Sequence, residues 1–216
     1  MATQHLDLEE QEQLAQLRAF WARWGNALTW LAIVVLGAYA AWNGWQYWQR
    51  SQATQAAELY GQLKLATQAD DADKVLRVVK DMESHVASTP LMTHARMLAA
   101  SQLAKAGREA PARELLAQVL SDGKDQGLRA SAALRLAALD MQSQAWDAAL
   151  GRLNGEWPDA YKGLMADRRG DILQAQGQRD AAISAYQEAY VALGAESAYR
   201  QMVRVKLNAM GVEVKE

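Results

Sequence analysis

One uncharged run, Trp24 to Gln49, bounded by Arg23 and Arg50 and carrying tryptophan or tyrosine toward both ends, constrains this chain more than any other feature. As a helix rising about 1.5 Å per residue, its roughly 26 residues reach about 39 Å, more than the ~30 Å hydrocarbon core of a bilayer requires. It is long enough to span a membrane. The central stretch Ala27 to Trp42 is apolar apart from Thr29, whose hydroxyl can bond back to a helix carbonyl, and Tyr39. Six of the eight tryptophans, Trp21, Trp24, Trp30, Trp42, Trp45 and Trp48, crowd the two ends of the run. Amphipathic rings settle at the headgroup level, so this is the pattern of an aromatic belt. A buried core helix of this length would carry charges on a solvent face.

A cleaved signal peptide competes with an anchor. Ala38-Tyr39-Ala40 reads as an A-x-A site after an apolar stretch. The segment before the run is long and acidic, however, with Asp7, Glu9, Glu10 and Glu12 outnumbering Arg18 and Arg23, whereas a signal peptide has a short basic leader. The aromatic cluster beyond Ala40 has a use only if the helix stays in the membrane, so an uncleaved anchor is the preferred reading. Arg18 and Arg23 before the span nearly balance Arg50 and Lys64 after it, which leaves the charge bias only slightly in favour of an inside N-terminus. Leu14, Leu17, Trp21 and Trp24 repeat at helical spacing. Residues 1–23 are thus expected to form an amphipathic tail lying along the membrane surface or against a partner, 24–49 a transmembrane helix, and 50–216 a separate domain.

The residues after Arg50 are rich in alanine, leucine and glutamine and suffice for a single core. Proline occurs only at 90, 111 and 158, and no run of alternating β-branched residues suggests a strand. The fold class is therefore all-α. The net charge of −2 leaves no basic face for nucleic acid. The absence of cysteine removes disulfides, thiolate metal sites and a lipidated anchor.

Self-similarity organises this second part. Asp167 to Leu193 carries Gly170, Leu173, Gly177, Ala182, Tyr186 and Ala189 in an order that resembles the tetratricopeptide signature. Gly177 ends the first helix, the small residues let two antiparallel helices approach, with Gly170 facing Ala182, and Tyr186 fills the space between them. Weaker copies hold Ala100, Leu103, Gly107, Ala112, Leu116 and Val119, then Ala137, Gln144, Trp146, Ala149 and Leu153. Near Asp70 a degenerate fourth places Val75, Val79 and Met82 on its second helix. Such units cannot bury their faces singly and stack into an α-solenoid. Asp140 stands where the signature expects an apolar residue, so the middle copy is expected to be distorted.

Chemistry is scarce. His5, His85 and His94 are isolated, and no HExxH, GxSxG or phosphate-binding loop occurs. Asp70, Asp71 and Asp73 lack the glycine and terminal glutamate of a calcium loop. Arg168 and Arg169 read as surface charges. The expectation is no enzyme, no metal, no cofactor and no small-molecule substrate.

The order of the whole chain, with an acidic amphipathic tail, WARWG over 21–25, GWQYWQRSQ over 44–52 and ADRRGDILQAQGQ over 166–178, resembles the YfgM-type ancillary subunit of the SecYEG translocon. That resemblance implies a single-pass protein of the bacterial inner membrane with a cytoplasmic N-terminus and periplasmic repeats. It implies association with the SecYEG translocon and with a membrane-anchored periplasmic chaperone of the prolyl-isomerase type. The chain would then be an adaptor linking exported polypeptides to chaperones. A released periplasmic repeat protein coordinating envelope assembly is the alternative, and a membrane enzyme has no candidate residues. Two surfaces are expected to bind partners. Gly37, Ala41 and Gly44 lie near one face of the span and permit close helix approach. By offset from the tetratricopeptide signature, His94, Met97, Ser101, Leu134, Met141 and Asp171 face the groove, a mixture suited to adaptable contacts. The lysine and asparagine pattern that clamps a C-terminal carboxylate in such grooves is missing.

Overall fold

The computed structural model describes residues 8–213, with side chains from Glu12 onward. His5, Asp7 and the side chains of Glu9 and Glu10, part of the expected acidic tail, lie outside the described residues. Among the described residues there are nine helices and no strand: α1 Leu8–Gln68, α2 Ala72–His85, α3 Leu91–Lys105, α4 Glu109–Asp122, α5 Gln126–Gln142, α6 Trp146–Leu153, α7 Asp159–Ala175, α8 Arg179–Ala192 and α9 Ala198–Ala209. The chain divides into two compact units, residues 1–54 and 55–216.

The first unit is the greater part of α1. Its apolar stretch is long and apolar enough to cross a membrane, and only 6% of the most apolar window is buried. A core helix of a soluble domain would be mostly covered; here Trp30, Leu31, Val34, Leu36 and Tyr39 are all exposed. The polar groups of the stretch are satisfied locally. Thr29 Oγ1 donates to the Gly25 carbonyl at 2.8 Å, as its position implied, and Asn43 Nδ2 donates to the Tyr39 carbonyl at 2.9 Å. Bonding back one turn removes most of the cost of carrying an amide or hydroxyl into hydrocarbon. At the far end the Trp45 and Trp48 rings lie 5.3 Å apart in a tilted pair.

α1 is continuous from Leu8 into the span, because the sequence between them holds no proline and no paired glycine or serine at which a helix kinks. The helix also continues past Arg50. It runs to Gln68, since residues 51–68 contain one lone glycine, Gly61, and no proline. Thr54 and Thr67 bond back to the carbonyls of Arg50 and Leu63.

The second unit is a series of helical hairpins closed by one repeated device. In each, a residue with positive φ follows the first helix: Asp70 (51°), Gly107 (72°), Gln144 (56°), Gly177 (76°) and Gly211 (76°). The next amide then bonds the carbonyl five residues back, Asp71 to Ala66, Arg108 to Leu103, Ala145 to Asp140, Gln178 to Leu173 and Val212 to Leu207. This is the Schellman closure of a helix C-terminus. The positive-φ residues stand at 70, 107, 144, 177 and 211, steps of 37, 37, 33 and 34, so α9 opens a fifth unit after four hairpins.

The second helix of each hairpin buries a small or branched residue five positions beyond the turn: Val75, Ala112, Ala149 and Ala182 are each 0% exposed. The prolines mark helix starts, Pro90 and Pro158 as N-caps and Pro111 in the first turn of α4, where a missing N–H costs nothing. Asp71 and Asp125 cap α2 and α5, accepting from the amides of Lys74 and Leu128 at 2.9 and 2.8 Å. Helices pack mainly on their neighbours in sequence, and α5 also meets α7, the connectivity of a solenoid.

The middle hairpin is distorted, as Asp140 suggested. Its second helix, α6, has 8 residues where α2, α4 and α8 each have 14. Gly155 at φ 157° and Pro158 stop it, because proline disfavours helix at the residue before it. In the last hairpin the expected partner of Gly170 is corrected. The side chain against Gly170 is the Tyr186 ring, and the nearest atoms a Cβ there would meet all belong to that ring.

Candidate partner-binding surfaces

Gly37, Ala41 and Gly44 are exposed on α1, and nothing lies within 4 Å of where a Cβ would stand at Gly37 or Gly44. Small residues at this spacing leave backbone open to a neighbouring helix.

The six groove positions lie on α3, α5 and α7, the first helices of three successive hairpins. They are not alike. His94 is exposed and Ser101 half-buried, while Met97 is part of the core cluster built from α1 to α5. Leu134 and Met141 are half-buried against a second cluster that contains Ala149, Leu153 and Met165.

Asp171 belongs to a charged network that sequence order conceals. Lys206 of α9 donates to Asp171 Oδ1 at 2.6 Å and to both oxygens of Asp167 at 2.7 and 2.9 Å. The Asp167 side chain is 1% exposed. Tyr199 donates to Asp167 Oδ2 at 2.8 Å, and the Tyr186 hydroxyl lies 2.8 Å from both Asp171 Oδ1 and Gln174 Oε1. Arg168 lies 3.7 Å from Asp171. Two carboxylates are thus matched by two cations. Burial, reinforced by the hydrogen bond to Asp167, pushes the Tyr199 phenol up to about 12; burial and Asp171 raise Tyr186 further. Both phenols stay protonated and serve as donors. The network ties α9 to the α7–α8 hairpin and commits Asp171 to an internal contact.

A second buried carboxylate, Asp140 of α5, is 4% exposed. It accepts from Arg113 of α4 and, at 3.2 Å, from Nε of Arg152 of α6. Arg113 also reaches the hydroxyl of Ser143 at 3.0 Å. Two cations around one anion leave this group positive, and it crosses from one hairpin to the next. That explains how a carboxylate occupies an apolar position of the repeat: it is paired, not solvated.

Among the described residues no three histidine, aspartate or glutamate side chains gather as a metal site would require. The networks hold carboxylates against cations at bonding distance, an arrangement that fixes helices to one another.

The chain is similar to known proteins over nearly all of its length. The model of the tetratricopeptide repeat-like domain family matches residues 18–212. A Neisseria gonorrhoeae protein named ancillary SecYEG translocon subunit is 28% identical over 204 residues, 94% of this chain and 98% of its own length. A protein of the same name from Escherichia coli K12 is 28% identical over 207 residues, with 94% and 97% covered. One from Haemophilus influenzae is 27% identical over 201 residues, with 93% and 97% covered. The family match takes in the span-bearing helix together with all the hairpins and α9, and the chain belongs to the tetratricopeptide repeat-like domain family.

Proposed function

We propose that this chain is a non-enzymatic, membrane-tethered adaptor that acts as an ancillary subunit of the SecYEG translocon. The observation that carries the reading is the extent of similarity to the three relatives of that name, which runs through span and repeats alike over at least 93% of the chain. The anchor holds the protein in the bacterial inner membrane, with the N-terminus cytoplasmic and the hairpins periplasmic. There the repeats link emerging polypeptides to a membrane-anchored chaperone of the prolyl-isomerase type. The physical basis is a helix whose apolar face is open to lipid and to other helices, joined to a solenoid that offers stacked helix faces for protein contacts.

Photocrosslinking from residues 37, 44, 94 and 101 in membranes, followed by mass spectrometry, tests the reading. Crosslinks to translocon helices are expected from the span, and chaperone crosslinks from His94 and Ser101. Crosslinks to lipid alone from the span, with no translocon recovered, would overturn the assignment. The alternative, a released protein that coordinates envelope assembly, rests on Ala38-Tyr39-Ala40 and requires a mature chain lacking its first ~40 residues.

A further inference from the structure

We infer that the early end of α6 creates a binding pocket for an acidic side chain flanked by an apolar one, in a peptide segment of a partner protein. The inference stands independently of the translocon reading.

The pocket follows from the missing helical turns. With α6 stopping at Leu153, the space that the last turns of a 14-residue helix fill in the neighbouring hairpins is left to the 154–157 loop. A cavity of about 510 Å³ remains between this loop and the α4–α5 turn. That volume lies within the range of small-ligand sites. Its walls include Arg129, Arg152, Gln126, Asn154 and Trp157.

Three of these wall residues, Arg129, Arg152 and Trp157, are held in place by hydrogen bonds to protein groups. Arg129 uses Nε to donate to the Leu120 carbonyl at 2.9 Å, and its stem lies along Gly123, where a Cβ would be 3.1 Å from Arg129 Cγ. Arg152 uses Nε to reach Asp140. In both, the anchored atom is Nε, so the terminal amino groups of two oriented guanidiniums remain to serve a ligand. Trp157 spends its N–H on the Leu153 carbonyl at 3.0 Å, which closes the end of α6 and leaves apolar ring surface for the cavity. Two cationic forks beside an indole with no free donor suit a carboxylate next to an apolar side chain.

The charge balance favours an anion. Asp140 is shared by Arg152 and Arg113, so it neutralises only one of them. Glu156 is the one acid in the cavity wall, and it is exposed. In the cavity wall itself two arginines, Arg129 and Arg152, stand against one glutamate. The site lies at the end of the hairpins, between two inter-hairpin turns, and none of the groove positions on α3, α5 and α7 lines it.

The test is fluorescence anisotropy with the full chain in detergent micelles. The probes are labelled, amidated hexapeptides with an internal glutamate beside phenylalanine, the glutamine counterpart, and a peptide whose only carboxylate is its free C-terminus. The glutamate peptide should bind, and the glutamine peptide about ten- to a hundredfold more weakly. The C-terminal peptide reports whether a chain end serves as well as a side chain. Arg129→Gln and Arg152→Gln should each weaken the glutamate peptide by about tenfold. Glu156→Gln, at an exposed position that does not endanger folding, should strengthen it severalfold by removing the one opposing charge. Equal affinity for the glutamate and glutamine peptides, or an affinity unmoved by Glu156→Gln, overturns the assignment. If either arginine variant unfolds, the peptide comparison and Glu156→Gln still decide.

Discussion

A methyl group at residue 170 would lie 2.5 Å from Cδ1 and Cε1 of Tyr186, so the last hairpin closes only because Gly170 has no side chain. Tyr186 cannot retreat. It is 0% exposed, and its hydroxyl is fixed at Asp171 and Gln174. Gly170→Ala therefore sets two effects against each other. Alanine favours a helix by about 1 kcal/mol over glycine, whereas overpacking a filled contact costs about 1–3 kcal/mol and more where nothing can move. Clash should win, with net destabilisation of about 1–2 kcal/mol in urea unfolding of the full chain in detergent. Gly61→Ala on α1, where a Cβ meets nothing within 4 Å, should be neutral or stabilising. Equal effects at the two positions would contradict the contact.

Beside the buried Val203 and Leu207, α9 is tied to α7 by one lysine set between two aspartates. Lys206→Met leaves Asp167 buried with Tyr199 as its remaining donor, and breaking a buried pair from one side costs about 3–5 kcal/mol. Asp167→Asn combined with Lys206→Met removes both charges and should cost clearly less than the lysine change alone. The expected readout is faster proteolytic cleavage within 193–198 for Lys206→Met, largely restored in the double variant. Additive effects would show that the two residues are not coupled.

Alkaline stability should depend on the two phenols. Their pKa values are raised in the folded state, to about 12 for Tyr199 against an ordinary value near 10. A raised folded pKa contributes stability that is complete below the unfolded pKa and lost as pH rises through the folded one. The stability of the repeats should thus be insensitive to these phenols below about pH 10 and fall between about 10 and 12. Tyr199→Phe should flatten that part of the decline. A wild-type profile and a variant profile that run parallel from pH 9 to 12 would exclude the contribution.

Topology gives a fourth expectation. Protease added to intact spheroplasts should digest the hairpins and leave a small membrane-bound stub, and the mature chain should retain residues 1–40 by intact mass. Protection of the hairpins before lysis would reverse the orientation.

The sequence revealed what is carried by local pattern. Thr29 in an apolar run had one economical bond to make, and it makes it. Ala112, Ala149 and Ala182 stood near the repeat period, and all three are buried. What it hid falls into two kinds. Asp70 and Gln144 take the same left-handed turn as Gly107 and Gly177, but only glycine signals such a turn by its type, so a period written in backbone conformation was visible at some units and not at others. Lys206 and Asp167 are 39 residues apart, and neither residue type nor spacing indicates that α9 returns to α7. Asp171 shows the consequence: placed in the groove by its offset, it is held by a lysine from the next unit. The Arg129–Arg152–Trp157 pocket depended on where α6 ends, and helix boundaries are the least legible feature of a sequence.

The span itself yields the last prediction. If Gly37, Ala41 and Gly44 dock another helix, the association draws on close backbone packing, since burial from water gives no drive inside a bilayer. Gly37→Leu with Gly44→Leu keeps the run apolar enough to insert but fills the open space around both positions and holds a neighbour away. A control pair, Ile33→Leu and Val35→Leu, changes side-chain shape with little change in volume. Both variants should reach the membrane at wild-type levels. Translocon recovered by co-purification from mild detergent should fall severalfold for the glycine pair and stay unchanged for the control, as about 1 kcal/mol of lost helix packing implies. Equal recovery would place the association in the hairpins, because the glycine pair closes access to the backbone along that face and the control does not.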